Sequence, residues 1–159
     1  MIVRRAAAED AAGVAAIINL VIETSLVSFR RQPLPEAEVA ALIGSCPTFV
    51  AVIDGRILGY ARYDQFRGGT GYARTMEHSI ALLPEARGRG AGRALMAAVE
   101  DHARAAGVGS LWAGVSSANP DGRAFHAALG YEEVATLPAV GWKWDRWLDL
   151  HLMRKWLAD

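Results

Sequence analysis

The chain has 159 residues, 52% of them apolar and 21% charged, which argues against a disordered segment and predicts one globular domain over residues 1–159. Its 17 basic and 17 acidic residues balance, so there is no global basic field for nucleic acid and no polybasic tail for a membrane. No apolar run approaches the roughly 18 residues of a membrane helix, and Cys46, the only cysteine, allows no internal disulfide, so we expect a cytoplasmic protein.

The first half of the chain predicts a strand, two helices and a hairpin. One helix follows Glu9, because apolar residues recur there every three or four positions and an acidic first turn suits the helix dipole. Pro35 opens a second helix that Gly44 ends. Asp54 and Gly55 form a hairpin turn. Strands are predicted at Ile2–Arg5, Thr48–Ile53 and Ile57–Tyr63.

The second half alternates strands with helices. A glycine-rich loop at Arg67–Gly71 precedes it, and Pro84 closes its first strand. Strands are predicted at Thr75–Leu83, Ser110–Val115, Tyr131–Thr136 and Leu148–Trp156. Helices are predicted at Gly90–Ala106 and from Pro120 to Leu129, with Asn119 as the cap of the second. This alternation predicts an α/β (α+β) fold around a mixed sheet.

A loop rich in glycine and arginine joins the strand Thr75–Leu83 to the next helix. Its residues are Arg87, Gly88, Arg89, Gly90, Ala91, Gly92 and Arg93. Glycines let backbone amides approach a ligand, and a helix N-terminus attracts phosphate. The loop therefore predicts a pyrophosphate site, with an ordinary flexible turn as the alternative. It lacks the Gly-Lys-Ser/Thr of a Walker A loop and the spacing of a Rossmann fingerprint.

Arginine is unusually frequent among the basic residues. Fifteen of the 17 are arginine, and only Lys143 and Lys155 are lysine. Codon bias in a GC-rich genome would explain this. A second explanation is that some arginines bind phosphate or carboxylate through their planar fork.

The loop resembles the Arg/Gln-x-x-Gly-x-Gly/Ala signature of the GNAT acyl-CoA N-acyltransferase superfamily, through Arg87, Gly90 and Gly92. The blocks at 75–80, 119–131 and 140–149 extend the resemblance to its phosphinothricin and methionine sulfoximine/sulfone N-acetyltransferase branch, over almost the whole chain. The resemblance implies a mixed, mostly antiparallel sheet with a splayed strand pair, flanked by helices. It also implies acetyl-CoA as co-substrate, a small amine as acceptor and a homodimer.

The resemblance assigns the cofactor-binding residues. The loop from Arg87 to Arg93 would hold the pyrophosphate, and Asn119 the pantetheine arm. The main chain of Ile80, Ala81 and Leu82 would contact the acetyl and pantetheine groups and stabilise the thioester oxyanion. Gly122 stands where many members of the family have serine, so one hydroxyl contact to the cofactor is missing.

Two residues are candidates for the catalytic proton transfers. Glu77 matches the acidic position of the branch and is predicted to be a general base acting through water, with a solvated strand carboxylate as the alternative. His126 stands where many members place a general-acid tyrosine, with a packed helix histidine as the alternative. Cys46 has no nearby histidine and is not expected to be a nucleophile. The four histidines show no metal-binding spacing, so no metal is expected.

The acceptor pocket is predicted from the loop before the strand at Thr75. Thr70, Gly71 and Tyr72 match a loop that borders the substrate in the branch, and Phe29 would wall the pocket. An arginine often follows the aromatic residue, but here Ala73 follows and Arg74 comes next. A shift of one residue on a strand points the side chain to the opposite face, so Arg74 serves only if the loop bulges.

Three tryptophans near the C-terminus are predicted for the core or a dimer surface, rather than for a binding cage. These are Trp142, Trp144 and Trp147, and Lys143 and Arg146 are expected to serve the same region.

These observations predict transfer of an acetyl group from acetyl-CoA to the α-amine of methionine sulfoximine, methionine sulfone or phosphinothricin, by direct attack in a ternary complex. One alternative changes the acceptor to another amino acid, a polyamine or a protein N-terminus. Others are a non-catalytic acyl-CoA sensor and a nucleotide-binding module.

Overall fold

A seven-stranded sheet runs through residues 1–158, the part of the chain that the computed structural model describes. Its spatial order is β1-β2-β3-β4-β5-β7-β6, and only β4 and β5 pair in parallel. The strands are β1 (Ile2–Arg5), β2 (Thr48–Ile53), β3 (Arg56–Gln65), β4 (Thr75–Leu82), β5 (Ser110–Ser116), β6 (Glu132–Lys143) and β7 (Arg146–Trp156). The prediction of a mixed, mostly antiparallel sheet flanked by helices is confirmed.

Helices cover both faces of the sheet. They are α1 (Ala11–Thr24), α2 (Glu36–Ser45), α3 (Ala91–Ala105) and α4 (Pro120–Ala128). α1 and α2 bury their apolar stripes in one core cluster with Val50 and Tyr60 of the sheet. α3 packs in a second cluster on the other face, around Leu95 and Val99. Among residues 1–158, no helix has the length and apolar content needed to cross a membrane.

Three predicted boundaries differ from the structure. Asp10 precedes α1 in a short 3₁₀ turn, where its carboxylate accepts hydrogen bonds from Arg4 and from the Ala7 amide. The second helix continues one residue beyond Gly44, which does not adopt the left-handed conformation of a helix stop. The last two strands extend into a hairpin that the sequence does not suggest, because the register shift between Leu137 and Gly141 breaks the alternation of β6.

Candidate active site

The parallel strands β4 and β5 separate halfway along their length. Their pairing ends at His78 and Ala113, although β4 continues to Leu82 and β5 to Ser116. A parallel ladder that stops inside both strands leaves main-chain groups without a strand partner. The predicted splayed strand pair is therefore present, and it opens a gap in the middle of the sheet.

The main chain of β4 faces this gap at alternate residues. On its other edge β4 stays paired with β3, where the Leu83 amide donates to the Leu58 carbonyl at 2.8 Å. Main-chain groups alternate between the two sides of an antiparallel strand. Ile80 and Leu82 therefore direct their N–H and C=O groups into the gap, whereas Ala81 directs its groups toward β3. Two of the three predicted residues can offer main-chain hydrogen bonds there.

Two adjoining cavities open at the gap. We call the one of about 210 Å³ that contains Glu77 the Glu77 cavity, and the one of about 370 Å³ that reaches Arg87 the Arg87 cavity. Both are lined by Val21, Val27, Ile80, Ala81, Asn119 and His126. The shared wall makes the two cavities neighbours, with Arg87 on one and Glu77 on the other.

The start of α3 offers unpaired amides to an anion. Gly88 and Gly90 have φ values of +71° and +79°, which glycine adopts without strain. The first intrahelical bond runs from the Ala94 amide to the Gly90 carbonyl, and no side chain of residues 1–158 caps the helix. The amides of Ala91, Gly92 and Arg93 therefore lack helical partners. This donor set fits a diphosphate group.

The three arginines of the loop differ in position. Arg87 lines the cavity that bears its name. Arg89 lies 3.9 Å from the carboxylate of Asp54 and, like Arg93, does not line either cavity. The structure thus brings one of the three guanidinium groups to the cavity wall.

Glu77 lies half-buried on β4 with its carboxylate in the cavity. No side chain of residues 1–158 forms a hydrogen bond or ion pair with it, so its lone pairs are available to a ligand or water. Burial raises the pKa of Glu77 above its usual value, against a smaller opposing effect of Arg62. A Cβ atom at Gly114 would lie 2.8 Å from Glu77 Oε1, so glycine leaves the room that this carboxylate occupies. Sequence analysis missed Gly114.

His126 forms a buried pair with His78. Their Nε2 atoms are 2.9 Å apart, and His126 Nδ1 lies 2.7 Å from the Gly122 carbonyl. A carbonyl only accepts, so His126 carries its proton on Nδ1 and, when neutral, accepts at Nε2 from His78. His78 Nδ1 is then unprotonated, and it has no hydrogen-bond partner among residues 1–158.

The pair keeps both nitrogens of His126 occupied. Burial lowers the pKa of His126, and burial with the nearby His126 lowers the pKa of His78 to about 3. Although His126 lines both cavities, neither of its nitrogens is free to face them. To act as a general acid, the ring would have to release one of its two hydrogen bonds.

Asn119 caps α4 and also lines both cavities. Its Oδ1 accepts from the Gly122 amide at 2.9 Å. A Cβ atom at Gly122 would lie 2.3 Å from Asn119 Nδ2, so the serine of many family members could not stand here without moving the asparagine. The cap and the cavity wall are thus two roles of one side chain.

The predicted acceptor-binding residues do not line either cavity. Thr70, Gly71 and Tyr72 form an exposed 3₁₀ turn. Phe29 packs against the main chain of Gly141, where a Cβ atom would lie 2.5 Å from the ring. The Glu77 cavity is lined instead by residues that the sequence patterns did not single out as a site, including Ile18, Ile22, Val27, Ser28 and Tyr60.

Arg74 points away from the Glu77 cavity. Its Nε donates to the Gly107 carbonyl at 2.9 Å, just beyond the end of α3. Glu77 has the same parity on β4 as Ala81, which packs on the α1 and α2 side. The arginine stands one position later than the resemblance predicts, and no bulge compensates for this shift. Arg74 therefore lies on the α3 face of the sheet.

Lys143 differs from its tryptophan neighbours in burial. It is 1% exposed, whereas Trp142, Trp144 and Trp147 are 41%, 54% and 61% exposed and are not core residues. Its Nζ donates to the carbonyls of Ile22, Ser25 and Ser28. Lys143 thus binds the segment after α1, and its Nζ also lies over the ring of Trp144, 5.1 Å from the ring centre, so the expectation that it serves the tryptophan region stays a prediction. The rarity of lysine in an arginine-rich chain was the signal available.

Known proteins are similar to this chain in sequence and in fold. Residues 14–131 match the acetyltransferase (GNAT) family. The L-methionine sulfoximine/L-methionine sulfone acetyltransferase of Pseudomonas aeruginosa is 33% identical over 158 residues, 96% of this chain and 92% of that protein. The L-amino acid N-acyltransferase MnaT of Escherichia coli is 35% identical over 120 residues, 76% of this chain and 70% of that protein.

A solved structure adds a ligand to the comparison. The GNAT superfamily phosphinothricin acetyltransferase from Sinorhizobium meliloti, in complex with acetyl-CoA, superposes with a TM-score of 0.93 at 33% identity. The match covers 99% of this chain and 88% of that one.

Proposed function

This chain belongs to the GNAT acetyltransferase family and is an acetyl-CoA-dependent N-acetyltransferase, and from that premise we propose that it acetylates the α-amine of a small amino acid analogue. Methionine sulfoximine, methionine sulfone and phosphinothricin are the acceptors we propose, because relatives named for them match most of the chain. The observation that carries the proposal is the placement of the Glu77 carboxylate beside a cavity that adjoins the diphosphate-binding start of α3.

The proposed reaction is a direct transfer. The amine nitrogen of the acceptor attacks the thioester carbonyl carbon, the carbon–sulfur bond breaks, and coenzyme A leaves as a thiolate. Glu77 accepts the proton of the amine through water, which its raised pKa favours near neutral pH. The amide of Ile80 or Leu82 donates to the developing oxyanion in the gap between β4 and β5.

No covalent acetyl-enzyme is needed in this scheme. Cys46 is buried and does not line either cavity. A thiolate is a good leaving group, so departure does not depend on His126, whose nitrogens are both occupied. His126 can act as a general acid only when its hydrogen bond to His78 is broken.

A different acceptor is the second candidate. It is supported by Arg74, which bonds Gly107 and leaves the Glu77 cavity without the guanidinium expected to hold a carboxylate. The candidate acceptors are then other amino acids, a polyamine or a protein N-terminus, with the same attack on acetyl-CoA.

We also propose that the enzyme is a cytoplasmic homodimer. The single cysteine suits a reducing compartment. The β6–β7 hairpin exposes Trp142, Trp144 and Trp147, as well as Val140, which is 50% exposed. The Trp142 and Trp147 rings lie 5.1 Å apart, and clustered exposed apolar groups mark interaction surfaces in soluble proteins.

An acceptor panel tests the activity. Purified protein with acetyl-CoA should release free thiol with methionine sulfone, methionine sulfoximine or phosphinothricin, detected with a thiol reagent. Turnover confined to other amines would select the second candidate. Binding of acetyl-CoA without turnover of any amine would favour a sensor and contradict the proposal.

Replacement of Glu77 by Gln tests the base. We expect kcat/KM to fall about 100-fold or more, because a positioned base contributes at least that much. Wild-type activity should decline as the pH falls through the raised pKa of Glu77, since only the carboxylate accepts a proton. E77Q should lack this decline. Glu38→Gln, on the exposed face of α2, is the control, and equal activity of E77Q and E38Q would exclude Glu77 as the base.

A further inference from the structure

Lys143 reaches from the C-terminal hairpin into the main chain at the end of α1. Its three N–H donors are all used, at 2.6 Å to Ile22 O, 2.8 Å to Ser25 O and 2.8 Å to Ser28 O. The acceptors lie 115 to 121 residues away in the chain. No carboxylate of residues 1–158 bonds this ammonium, whose partners are the three carbonyl dipoles and the Trp144 ring, with Nζ 5.1 Å from the ring centre.

These contacts provide hydrogen-bond donors to carbonyl groups at the C-terminal end of α1. The last carbonyls of a helix have no intrahelical partner and carry partial negative charge. The last turn of α1 contains no basic residue of its own. Lys143 supplies the missing cation from β6, and burial lowers the pKa of its ammonium. Three carbonyls converging on one point suit a compact ammonium better than a planar guanidinium.

The segment held by Lys143 is a wall of the active site. Ile22, Val27 and Ser28 line the Glu77 cavity. Ser25 is tied back to α1 through its hydroxyl, which donates to the Val21 carbonyl at 2.7 Å. The same hairpin also meets the segment at Phe29, which packs on Gly141 without room for a side chain between them.

We propose that Lys143 is a positioning residue for acceptor binding, which holds the segment Ser25–Ser28 in place as the wall of the Glu77 cavity. The proposal rests on the proposed function, because the cavity is assigned there to the acceptor. Lys143 has no part in the proton transfers, since its donors are occupied and its ammonium lies outside both cavities.

Lys143→Met tests the proposal, and Lys155→Met is the matched control. Lys155, the only other lysine, bonds Glu100 at 2.7 Å, away from this segment. We expect K143M to raise the KM for the acceptor about tenfold while kcat at saturation falls less than about threefold, because uniform binding and not chemistry is lost. Amide hydrogen exchange at Ser25–Ser28 should accelerate in K143M and stay at the wild-type rate in K155M.

A merely structural role gives a different result. Loss of folded protein would lower the apparent kcat and leave the acceptor KM unchanged, which would overturn the proposal. Equal changes in K155M would also overturn it. Should K143M fail to fold, Lys143→Arg keeps the charge but not the three-way geometry, and an unchanged acceptor KM in K143R would count against positioning. Wild-type protein that releases no thiol with any amine would refute the proposed function, and hydrogen exchange alone would then test whether Lys143 holds the segment.

Discussion

The two histidines at the gap show how a residue's chemistry depends on its neighbours. His126 alone would titrate near pH 6.5 and could donate a proton to a thiolate. Its bonds to Gly122 and His78 fix its proton on Nδ1 and direct its other nitrogen away from the cavities. The geometry therefore favours a structural role for His126, packed in the helix, over a role as general acid.

The His78–His126 pair predicts a specific pH dependence of stability. Burial lowers the pKa of His78 in the folded chain to about 3, whereas an unfolded chain binds the proton near pH 6.5. The stabilisation is thus complete above pH 6.5 and is lost as the pH falls below it. Between pH 6.5 and 5, His78 alone should cost about 2 kcal/mol of unfolding free energy, at 1.36 kcal/mol per pH unit.

His78→Gln removes this titration and keeps an amide donor for His126. Denaturant unfolding from pH 8 to pH 5 should show a smaller loss of stability in H78Q than in the wild type. The difference at pH 8, where histidine is neutral in both states, measures the cost of the substitution itself and serves as the control. Parallel curves for the two proteins would contradict the lowered pKa.

At the scale of elements, the site is a junction of β4, β5 and the start of α3. β4 contributes a carboxylate and free amides, and the loop after it leads to the unpaired N-terminus of α3. This order along the chain places the Glu77 carboxylate on the strand and the unpaired amides at the start of the helix in one strand–loop–helix unit. The distance between them is spanned by the two cavities.

Arg87→Ala tests the diphosphate end of this unit. An exposed charge pair contributes up to about 1 kcal/mol, so we expect the Kd of coenzyme A to rise by up to about fivefold. Pantetheine lacks the diphosphate, and its Kd should not change. Calorimetry with both ligands measures the difference.

Arg31→Ala, at an exposed position outside both cavities, is the control for Arg87→Ala. An R87A protein that weakens pantetheine as much as coenzyme A would place Arg87 elsewhere than at the diphosphate.

At the scale of the whole molecule, the β6–β7 hairpin has two sides with different roles. Lys143 faces inward and binds the segment after α1, whereas Trp144 and Trp147 face solvent. The Trp142 and Trp147 rings lie 5.1 Å apart across the hairpin. Assembly through the exposed side would therefore bury these two rings, while the inner side of the same hairpin holds the segment after α1 through Lys143.

Trp147→Asp tests the homodimer. The wild type should sediment at twice the chain mass of 17.1 kDa, and W147D at the mass of one chain, because a buried carboxylate opposes association. Trp156→Asp is the matched control. Trp156 is 60% exposed but lies at the other end of β7, about 30 Å away at 3.3 Å per residue. A monomeric wild type, or a dimeric W147D, would contradict the assignment of this surface.

The sequence by itself determined the features that depend on neighbours in the chain. Helices and strands follow apolar periodicity, and the loop from Arg87 to Gly92 carries its three glycines, its two arginines and its helix start within six residues. Glu77 could be singled out because it precedes that loop in a block resembling a known branch. The sequence did not predict the extension of β6 and β7 into a long hairpin, because the bulge in β6 breaks the alternation of apolar and polar residues.

Only the tertiary structure decided which distant residues meet. Lys143 and Ile22 are 121 residues apart, His78 and His126 are 48 apart, and Gly114 makes room for Glu77 from the neighbouring strand. Such contacts depend on the order of strands in the sheet, which non-local pairing sets and local propensity does not encode. The sequence therefore singled out Glu77 and the loop at Arg87 as candidates for the base and the diphosphate site, whereas the lining of the Glu77 cavity, the tautomer of His126 and the contacts of Lys143 arise from the folded sheet.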